Sequence, residues 1–330
     1  MAAPLELLQK VGSPSPAIGW AALFDYAWQV CSQPVPANKV GQTIVQRDRE
    51  LGDVDLLLTS TAWDLWQDYD QTVEHTADAL AHWWASQMGG RAILVLDALS
   101  LREVPWLLQG AEARGFNIVQ TKVTGAELPA DTTPFAKALG FSQRSALVNN
   151  SAGASHRLSG AHTDSVDLPW IDCASFIGAE PDWVLWHHWP DKRVHDLGEP
   201  GYGLEKLAQE AQEQLTSDDF WTLVERLATG RRLVITSDHG YAASGLFADT
   251  DGDQAKHLKS TFKGGRWSKD IEDPSGWHPP VDLVLNSRQG AYRYVLGRRK
   301  WRSSGGYPTL THGGLSVLEV ASPFIELSKG

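Results

Sequence analysis

The chain has 330 residues, and 42% of them are apolar, which is enough for one large α/β domain or two smaller ones. Its formal net charge of −11 argues against a protein that coats nucleic acid. Cys31 and Cys173 are far apart and form no Cys-x-x-Cys pair, so neither a disulfide framework nor a thiolate metal site is expected. Any metal would then be bound by oxygen and imidazole ligands.

The sequence shows no membrane or secretion signal. Its N-terminus lacks the basic-then-apolar pattern of a signal peptide, and no apolar run approaches the roughly eighteen residues of a membrane span. We therefore expect a cytoplasmic protein that has no membrane partner.

The first ninety residues are predicted to be a mixed helical region. The apolar run at residues 56–58 is consistent with a short strand, and residues 72–88 have the spacing of an amphipathic helix that ends at Gly89-Gly90. The sequence leaves open whether this region is a separate domain or consists of extra layers on a larger core.

From Arg91 onwards, strands and helices alternate. Apolar runs predict strands at Ile93–Leu96, Phe116–Val123, Trp183–Trp186 and Leu233–Thr236, and helical spacing covers residues 101–114, 204–215 and 217–228. This alternation indicates a mainly parallel sheet that is covered on both faces, so we predict a three-layer α/β/α sandwich over residues 91–330. Residues 241–280 lack periodicity and are predicted to form an insertion or lid loop, followed by a hairpin around residues 288–290.

Acidic and imidazole side chains follow three of the predicted strands. These strand-exit residues are Asp97 after the first run, Asp191 and His195 after the third, and Asp238 and His239 after the fourth. Ligands in open α/β sheets lie outside the carboxyl ends of the strands, so we expect these groups to converge. Asp97 alone could be a plain helix N-cap. Several carboxylates in one place, however, would repel one another without cations, and mixed Asp and His ligands suit a two-metal site.

These motifs resemble the PglZ domain of the alkaline phosphatase superfamily, which is associated with BREX-type phage-defence systems. The resemblance covers about residues 91–326 and rests on Asp97, Asp191-x-x-x-His195, Ser237-Asp238-His239-Gly240 and Thr311-His312-Gly313-Gly314-Leu315-Ser316. It implies an alkaline-phosphatase-like core with two divalent ions, zinc or else manganese. One ion would be bound by Asp191, His195 and His312, and the other by Asp97, Asp238, His239 and a hydroxyl nucleophile.

The nucleophile is the least regular part of the resemblance. Family members place a Ser or Thr at a helix start between the first Asp and the Asp-x-x-x-His pair, which makes Ser142 the candidate, although the proline and threonine usual there are missing. Ser145 and Ser100 are alternatives, and a helix N-cap explains Ser142 equally well. Arg144 is the candidate contact for a non-bridging phosphoryl oxygen, with an ordinary surface arginine as the other interpretation.

The implied activity is metal-dependent hydrolysis of a phosphate mono- or diester, as a phosphatase or phosphodiesterase. Nucleotides or nucleic acid are expected substrates if the basic stretch at residues 288–302 binds an anionic polymer rather than forming a solvated surface. Proteins of a phage-defence system are the expected partners. Two alternatives remain: a scaffold in a defence complex that has lost catalysis, and a phosphomutase on the same fold.

Overall fold

The structure is a computed structural model that describes residues 3–151, 153, 155–198, 203–246, 250–269, 271–272, 281–302 and 309–329. Its α-helices are α1 Leu5–Val11, α2 Pro16–Cys31, α3 Val40–Ser60, α4 Tyr69–Thr72, α5 Thr76–Ser86, α6 Val104–Ala113, α7 Thr132–Ala138, α8 Trp170–Phe176, α9 Asp191–Asp196, α10 Gly203–Leu215, α11 Asp218–Ala228, α12 Gly252–Phe262 and α13 Val317–Val320. Short 3-10 helices cover Trp63–Asp68, Leu101–Glu103, Arg144–Asn150 and Ser244–Leu246. Within the described ranges, no helix is both long and apolar enough to cross a membrane.

The strands are β1 Gly90–Leu96, β2 Asn117–Gly125, β3 His162–Val166, β4 Asp182–His187, β5 Arg231–Thr236, β6 Trp267–Ser268, β7 Asp282–Ser287, β8 Gly290–Val295 and β9 Ala321–Ser328. Six of them form the central sheet in the order β2-β9-β5-β1-β4-β3. The strands β5, β1, β4 and β3 are parallel, and β9 lies antiparallel between β2 and β5. The predicted, mainly parallel sheet is confirmed.

Helices cover both faces of this sheet. Ala92, Leu94 and Leu96 of β1 belong to one core cluster, and Ile93 and Val95 belong to another. Alternate residues of a strand point to opposite faces, so the two clusters lie on opposite sides of β1. Residues of α6, α10 and α11 contribute to the first cluster, and residues of α5 and α7 contribute to the second.

The N-terminal helices extend the first of these cores. The strand predicted at residues 56–58 is wrong, because this run lies inside α3, where Leu51, Val54 and Leu58 are buried at helical spacing. The helix predicted at residues 72–88 is observed as the shorter α5. Apolar residues of α2 and α3 belong to the same cluster as β1, so this region packs as additional structure on the sheet. The predicted boundary at residue 90 stays a prediction.

The region predicted as a lid loop contains regular structure. It includes α12, which buries Leu258 and Phe262, and β6, which pairs with β8. The hairpin of β7 and β8 is confirmed, and the three strands form a small antiparallel sheet. Only two apolar anchors fix α12 among polar neighbours, which is why its sequence shows weak periodicity. Residues 247–249, 270 and 273–280 of the predicted loop lie outside the described residues.

Candidate metal centre

The structure brings all six predicted ligands together in two adjacent groups. The inner group is Asp97, Asp238 and His239, and the outer group is Asp191, His195 and His312. Within each group the ligand atoms lie within 4.8 Å of one another. The rings of His239 and His312 stack with centroids 4.3 Å apart, so the two groups share a boundary.

The convergence follows from the register of the central strands. Leu96 pairs with His187, so β1 and β4 end at the same level of the sheet. Beyond the strands, the amide of Asp97 donates to the carbonyl of His187 at 3.0 Å, and the amide of Asp191 donates to the carbonyl of Asp97 at 3.0 Å. The backbone therefore places Asp191 of the outer group directly beside Asp97 of the inner group.

The two carboxylate oxygens of Asp238 have different surroundings. Its Oδ1 accepts hydrogen bonds from the amides of Ala98 and His239, both at 3.0 Å. Ala98 has a φ of 60°, a left-handed conformation unusual for alanine, which turns its amide towards this oxygen. The Oδ2 atom is buried without a hydrogen-bond partner and lies 3.3 Å from Nε2 of His239. A buried, unpartnered carboxylate oxygen is costly, and a cation would compensate it.

The backbone also fixes the tautomer of His239. Its Nδ1 lies 2.9 Å from the carbonyl of Gly240, which can only accept, so Nδ1 bears the proton and Nε2 is left for the site. The Nε2 atom is itself buried and without a hydrogen-bond partner. Gly240 is required here because a Cβ would lie 2.1 Å from the carbonyl oxygen of Leu318. This close contact explains why a glycine follows the adjacent ligands Asp238 and His239.

The outer group has the spacing of a tetrahedral site. Nε2 of His195 lies 3.2 Å from Nε2 of His312, and Oδ1 of Asp191 lies 3.3 Å and 3.4 Å from these two atoms. An ion with tetrahedral bonds of about 2.0–2.1 Å separates its ligands by roughly 3.4 Å. His312 Nδ1 lies 3.3 Å from the carbonyl of Ala130, which leaves its Nε2 for the site. Three protein ligands would leave a fourth position for water or substrate.

The electrostatics of the inner group favour a positive charge. Burial raises the pKa of Asp97 well above its usual range, and repulsion from Asp238 and Asp191 raises it further. Burial alone would lower the pKa of His239, but Asp238 and Asp97 raise it to about 9. Without an ion, protons neutralise this group, and a divalent cation would perform the same role.

In the outer group, His312 and Asp191 favour the protonation states that bind metal. The contact with Asp191 raises the pKa of His195, so this imidazole would lose its proton when an ion binds. Burial and the neighbouring His239 lower the pKa of His312, which favours the neutral imidazole that binds metal. Burial would raise the pKa of Asp191. The hydrogen bond with His195 and electrostatic attraction to His312 lower this pKa, so the carboxylate stays ionised. The donor set of both groups therefore fits divalent ions.

Arg144, the predicted substrate contact, reaches the inner group. Its Nη1 forms an ion pair with Oδ2 of Asp97, which also accepts a hydrogen bond from Nε1 of Trp186 at 3.0 Å. The Arg144 side chain is 26% exposed, so it joins the buried carboxylate to the surface of the site.

The predicted nucleophile, Ser142, stays a prediction. Ser142 is exposed and, among the described residues, has no hydrogen bond to any of the six ligands; Ser145 is exposed too. Ser100 is buried in a capping box with Glu103 and accepts from Arg102, so its hydroxyl has a structural role.

Thr132 is the hydroxyl that sequence reasoning missed. Its Oγ1 lies 3.3 Å from Oδ1 of Asp97, at the first residue of α7. The local signal was present, because Asp131 followed by Thr132-Thr133-Pro134 is a helix-start pattern with proline in the first turn. This threonine also lies between the first Asp and the Asp-x-x-x-His pair, as the resemblance requires.

The basic stretch at residues 288–302 is divided between the interior and the surface of the protein. Arg293 and Arg298 are buried, and they form ion pairs with Asp282 and with Asp48 and Asp55. Arg288 is half exposed and forms an ion pair with Asp78 at the surface. Two of the six basic residues in this stretch are therefore internal, and the other four are half buried or exposed.

No protein-family model matches this chain, and no curated protein matches it. The resemblance to the PglZ domain stays a prediction. The geometry of the inner and outer groups is therefore the basis for assigning a function.

Proposed function

We propose that the protein is a metal-dependent phosphoric ester hydrolase that binds two divalent ions, zinc or else manganese, on an alkaline-phosphatase-like core. The observation that carries the proposal is the pair of adjacent three-ligand groups that meet at His239 and His312. Two neighbouring ions are suited to clamp the attacking and leaving oxygens of a phosphoryl transfer.

Each group would hold one ion. Bound there, the ions would polarise the phosphoryl group, offset its charge and favour the ionised form of a nearby hydroxyl. The atoms available for binding are the buried, unpartnered Oδ2 of Asp238 and Nε2 of His239 in the inner group, and Oδ1 of Asp191 in the outer group. The exposed His195 completes the outer group on the solvent side.

Thr132 is the proposed nucleophile. Its Oγ1 attacks phosphorus, a P–O bond to Thr132 forms, and the P–O bond to the leaving alcohol breaks. Oδ1 of Asp97 accepts the proton of the Thr132 hydroxyl, and the oxygen of the leaving alcohol takes a proton from solvent. Water then cleaves the phosphothreonine ester and regenerates the hydroxyl. Arg144 binds a non-bridging oxygen, since it is the guanidinium in contact with Asp97.

The proposed substrate is a phosphate mono- or diester, a class that includes nucleotides. A nucleic-acid strand would need an extended basic surface, which the internal Arg293 and Arg298 do not supply. By the resemblance, proteins of a phage-defence system would be the partners. The alternative of a scaffold without activity depended on a missing nucleophile, and Thr132 removes that reason.

The test is hydrolysis of a chromogenic phosphodiester, bis(4-nitrophenyl) phosphate, by protein loaded with zinc or manganese. We expect Thr132→Ala to lower the rate by about a thousandfold or more. Thr132→Ser should retain much of the activity, and Ser142→Ala is the matched control that should leave it unchanged. A Thr132→Ala variant at the wild-type rate beside an inactive Ser142→Ala would restore Ser142 as nucleophile. Metal-loaded wild-type protein without any hydrolysis would favour the scaffold.

A further inference from the structure

The helix α3 contains two carboxylates that are buried away from solvent. Asp48 and Asp55 are each 1% exposed, although aspartate is rarely buried without a partner. Their partners are Arg102 and Arg298, which are equally buried. The two arginines come from different parts of the chain, so these ion pairs connect α3 to distant loops.

The first connection leads to the loops of the inner group. Oδ1 of Asp48 accepts a hydrogen bond from Nε of Arg102 at 2.9 Å. Nη1 of Arg102 donates to Oγ of Ser100 and to the carbonyl of Tyr241, both at 2.9 Å. Ser100 lies in the loop that begins with Asp97, and Tyr241 follows the Asp238-His239-Gly240 turn. One guanidinium therefore joins α3 to both loops that deliver the inner group.

These two loops are also joined to each other. The hydroxyl of Tyr241 donates to Oε1 of Glu103 at 2.7 Å, and the amide of Ser100 donates to Oε2 of the same carboxylate at 2.8 Å. All of these groups are buried, so their hydrogen bonds are shielded from competition with water.

The second connection leads to the loop that contains His312. Arg298 contacts Oδ2 of Asp48 and Oδ2 of Asp55, both at 2.6 Å. The amide of the adjacent Gly297 donates to the carbonyl of Leu315, in the loop of His312, at 2.7 Å. Oδ1 of Asp55 accepts from the amide of Val317 at 2.8 Å, at the start of α13. Glu319, in α13 directly after this loop, contacts the turn of the inner group, because its carbonyl accepts from the amide of Gly240 at 2.9 Å.

We propose that α3 is a positioning element of the metal centre, in which Asp48 and Asp55 hold the ligand loops in place through Arg102 and Arg298. This inference rests on the proposed function, since it assigns α3 a role in metal binding. Groups beyond the ligands set ligand orientation, and metal sites tolerate only small errors in that orientation. The contacts reach the loops of Asp97, Asp238, His239 and His312, whereas Asp191 and His195 follow β4. The ion of the inner group should therefore depend on α3 more strongly than the ion of the outer group.

The test is Asp48→Asn in the full chain, which keeps the shape of the side chain and removes the charge shared by two guanidinium groups. Zinc affinity is measured by competition with a chromophoric chelator, and ligand geometry by the visible absorption of the cobalt-loaded protein. Circular dichroism establishes that the variant is folded at the assay temperature. We expect the affinity for one of two zinc ions to fall by about tenfold to a hundredfold, with altered cobalt bands.

Asp182→Asn is the matched control. Asp182 accepts from Nε of Arg91 at 2.9 Å and from its Nη2 at 2.6 Å, at the amino ends of β1 and β4. This ion pair lies at the edge of the sheet opposite the ligands, so its loss should lower stability and leave zinc affinity unchanged. Asp55→Asn is the milder second variant, because its Oδ1 can still accept from Val317, and it serves if Asp48→Asn does not fold.

The outcomes separate the two claims. Folded Asp48→Asn or Asp55→Asn protein that binds two zinc ions as tightly as wild type would overturn the positioning role and leave the metal centre intact. Equal loss of affinity in Asp182→Asn would also overturn it, since general destabilisation would then explain the effect. Wild-type protein that binds no zinc would overturn the metal centre itself, and the role of α3 with it.

Discussion

The inner and outer ligand groups have similar donors in contrasting environments. The side chains of Asp97, Asp238 and His239 are fully buried, whereas the side chain of His195 is 58% exposed. In the inner group, burial and repulsion from neighbouring carboxylates raise the pKa of Asp97. Attraction to Asp238 and Asp97 raises the pKa of His239 in spite of its burial, so the group needs positive charge. In the outer group, solvent can complete the coordination. The comparison indicates an inner ion that is integral to the core and an outer ion that exchanges more readily.

The largest effect is expected from removing an inner ligand. Asp238→Ala deletes the buried Oδ2 and also leaves the amides of Ala98 and His239 without their acceptor. We expect hydrolysis of the chromogenic phosphodiester to fall by about a thousandfold or more, with loss of one bound ion measured by atomic emission. Asp238→Asn keeps an acceptor for both amides, so it separates the lost charge from the altered loop. Normal metal content in both variants would contradict the inner site.

The next effect concerns pH, and it applies to the metal-free protein. The pKa of His239 is raised to about 9, above the value of about 6.5 for an unfolded chain. Its protonation therefore stabilises the fold below pH 6.5, and this contribution is lost as the pH rises through 9, at most about 3 kcal/mol. Asp97, whose pKa is also raised, changes stability in the same direction.

Urea unfolding at pH 6.5 and pH 9.5 measures this difference. With a chelator present, the free energy of unfolding should be lower at the higher pH. With zinc, the trend should weaken or reverse, because metal binding replaces protons and strengthens with pH. His239→Gln should flatten the metal-free profile. If the free energy of unfolding of metal-free wild-type protein does not change with pH, the conclusion that the inner group needs positive charge is wrong.

The smallest of the three effects is expected at the exposed edge of the outer group. His195→Ala removes a ligand that water can replace, so we expect activity to fall by about tenfold to a hundredfold. Added zinc or imidazole should restore part of it, because the vacant position is open to solvent. The measurement is the rate as a function of zinc concentration. If His195→Ala is as inactive as Asp238→Ala at saturating zinc, the two groups do not differ as proposed.

Five of the six ligands could be predicted from the sequence pattern because they follow short apolar runs, whereas His312 was implied by the resemblance to the PglZ domain. Asp97, Asp191 and Asp238 each come shortly after a buried strand, and parallel strands deliver such residues to a common edge. The nucleophile could not be placed in this way. Thr132 contacts Asp97 only because α7 begins beside the end of β1, and no local pattern specifies that approach.

The N-terminal region also combines features that the local sequence predicts with features that depend on distant contacts. Burial of Leu51, Val54 and Leu58 at helical spacing was recoverable from the sequence, although the short run at residues 56–58 resembled a strand. The burial of Asp48 and Arg298 could not be predicted from the sequence. A charged side chain is buried only when a partner compensates its desolvation, and the partner here lies in a distant part of the chain.

The sequence by itself determined the alternation of strands and helices, the mainly parallel sheet and five Asp and His residues at its edge, whereas His312 was implied only by the resemblance to the PglZ domain. These features follow from local periodicity and from a general rule of sheet topology. The tertiary structure decided that the ligands form a fully buried group and a partly exposed group, that Thr132 lies beside Asp97, and that Arg298 is internal. Those features depend on long-range packing, which sets burial and pairs charges between segments that sequence order leaves far apart.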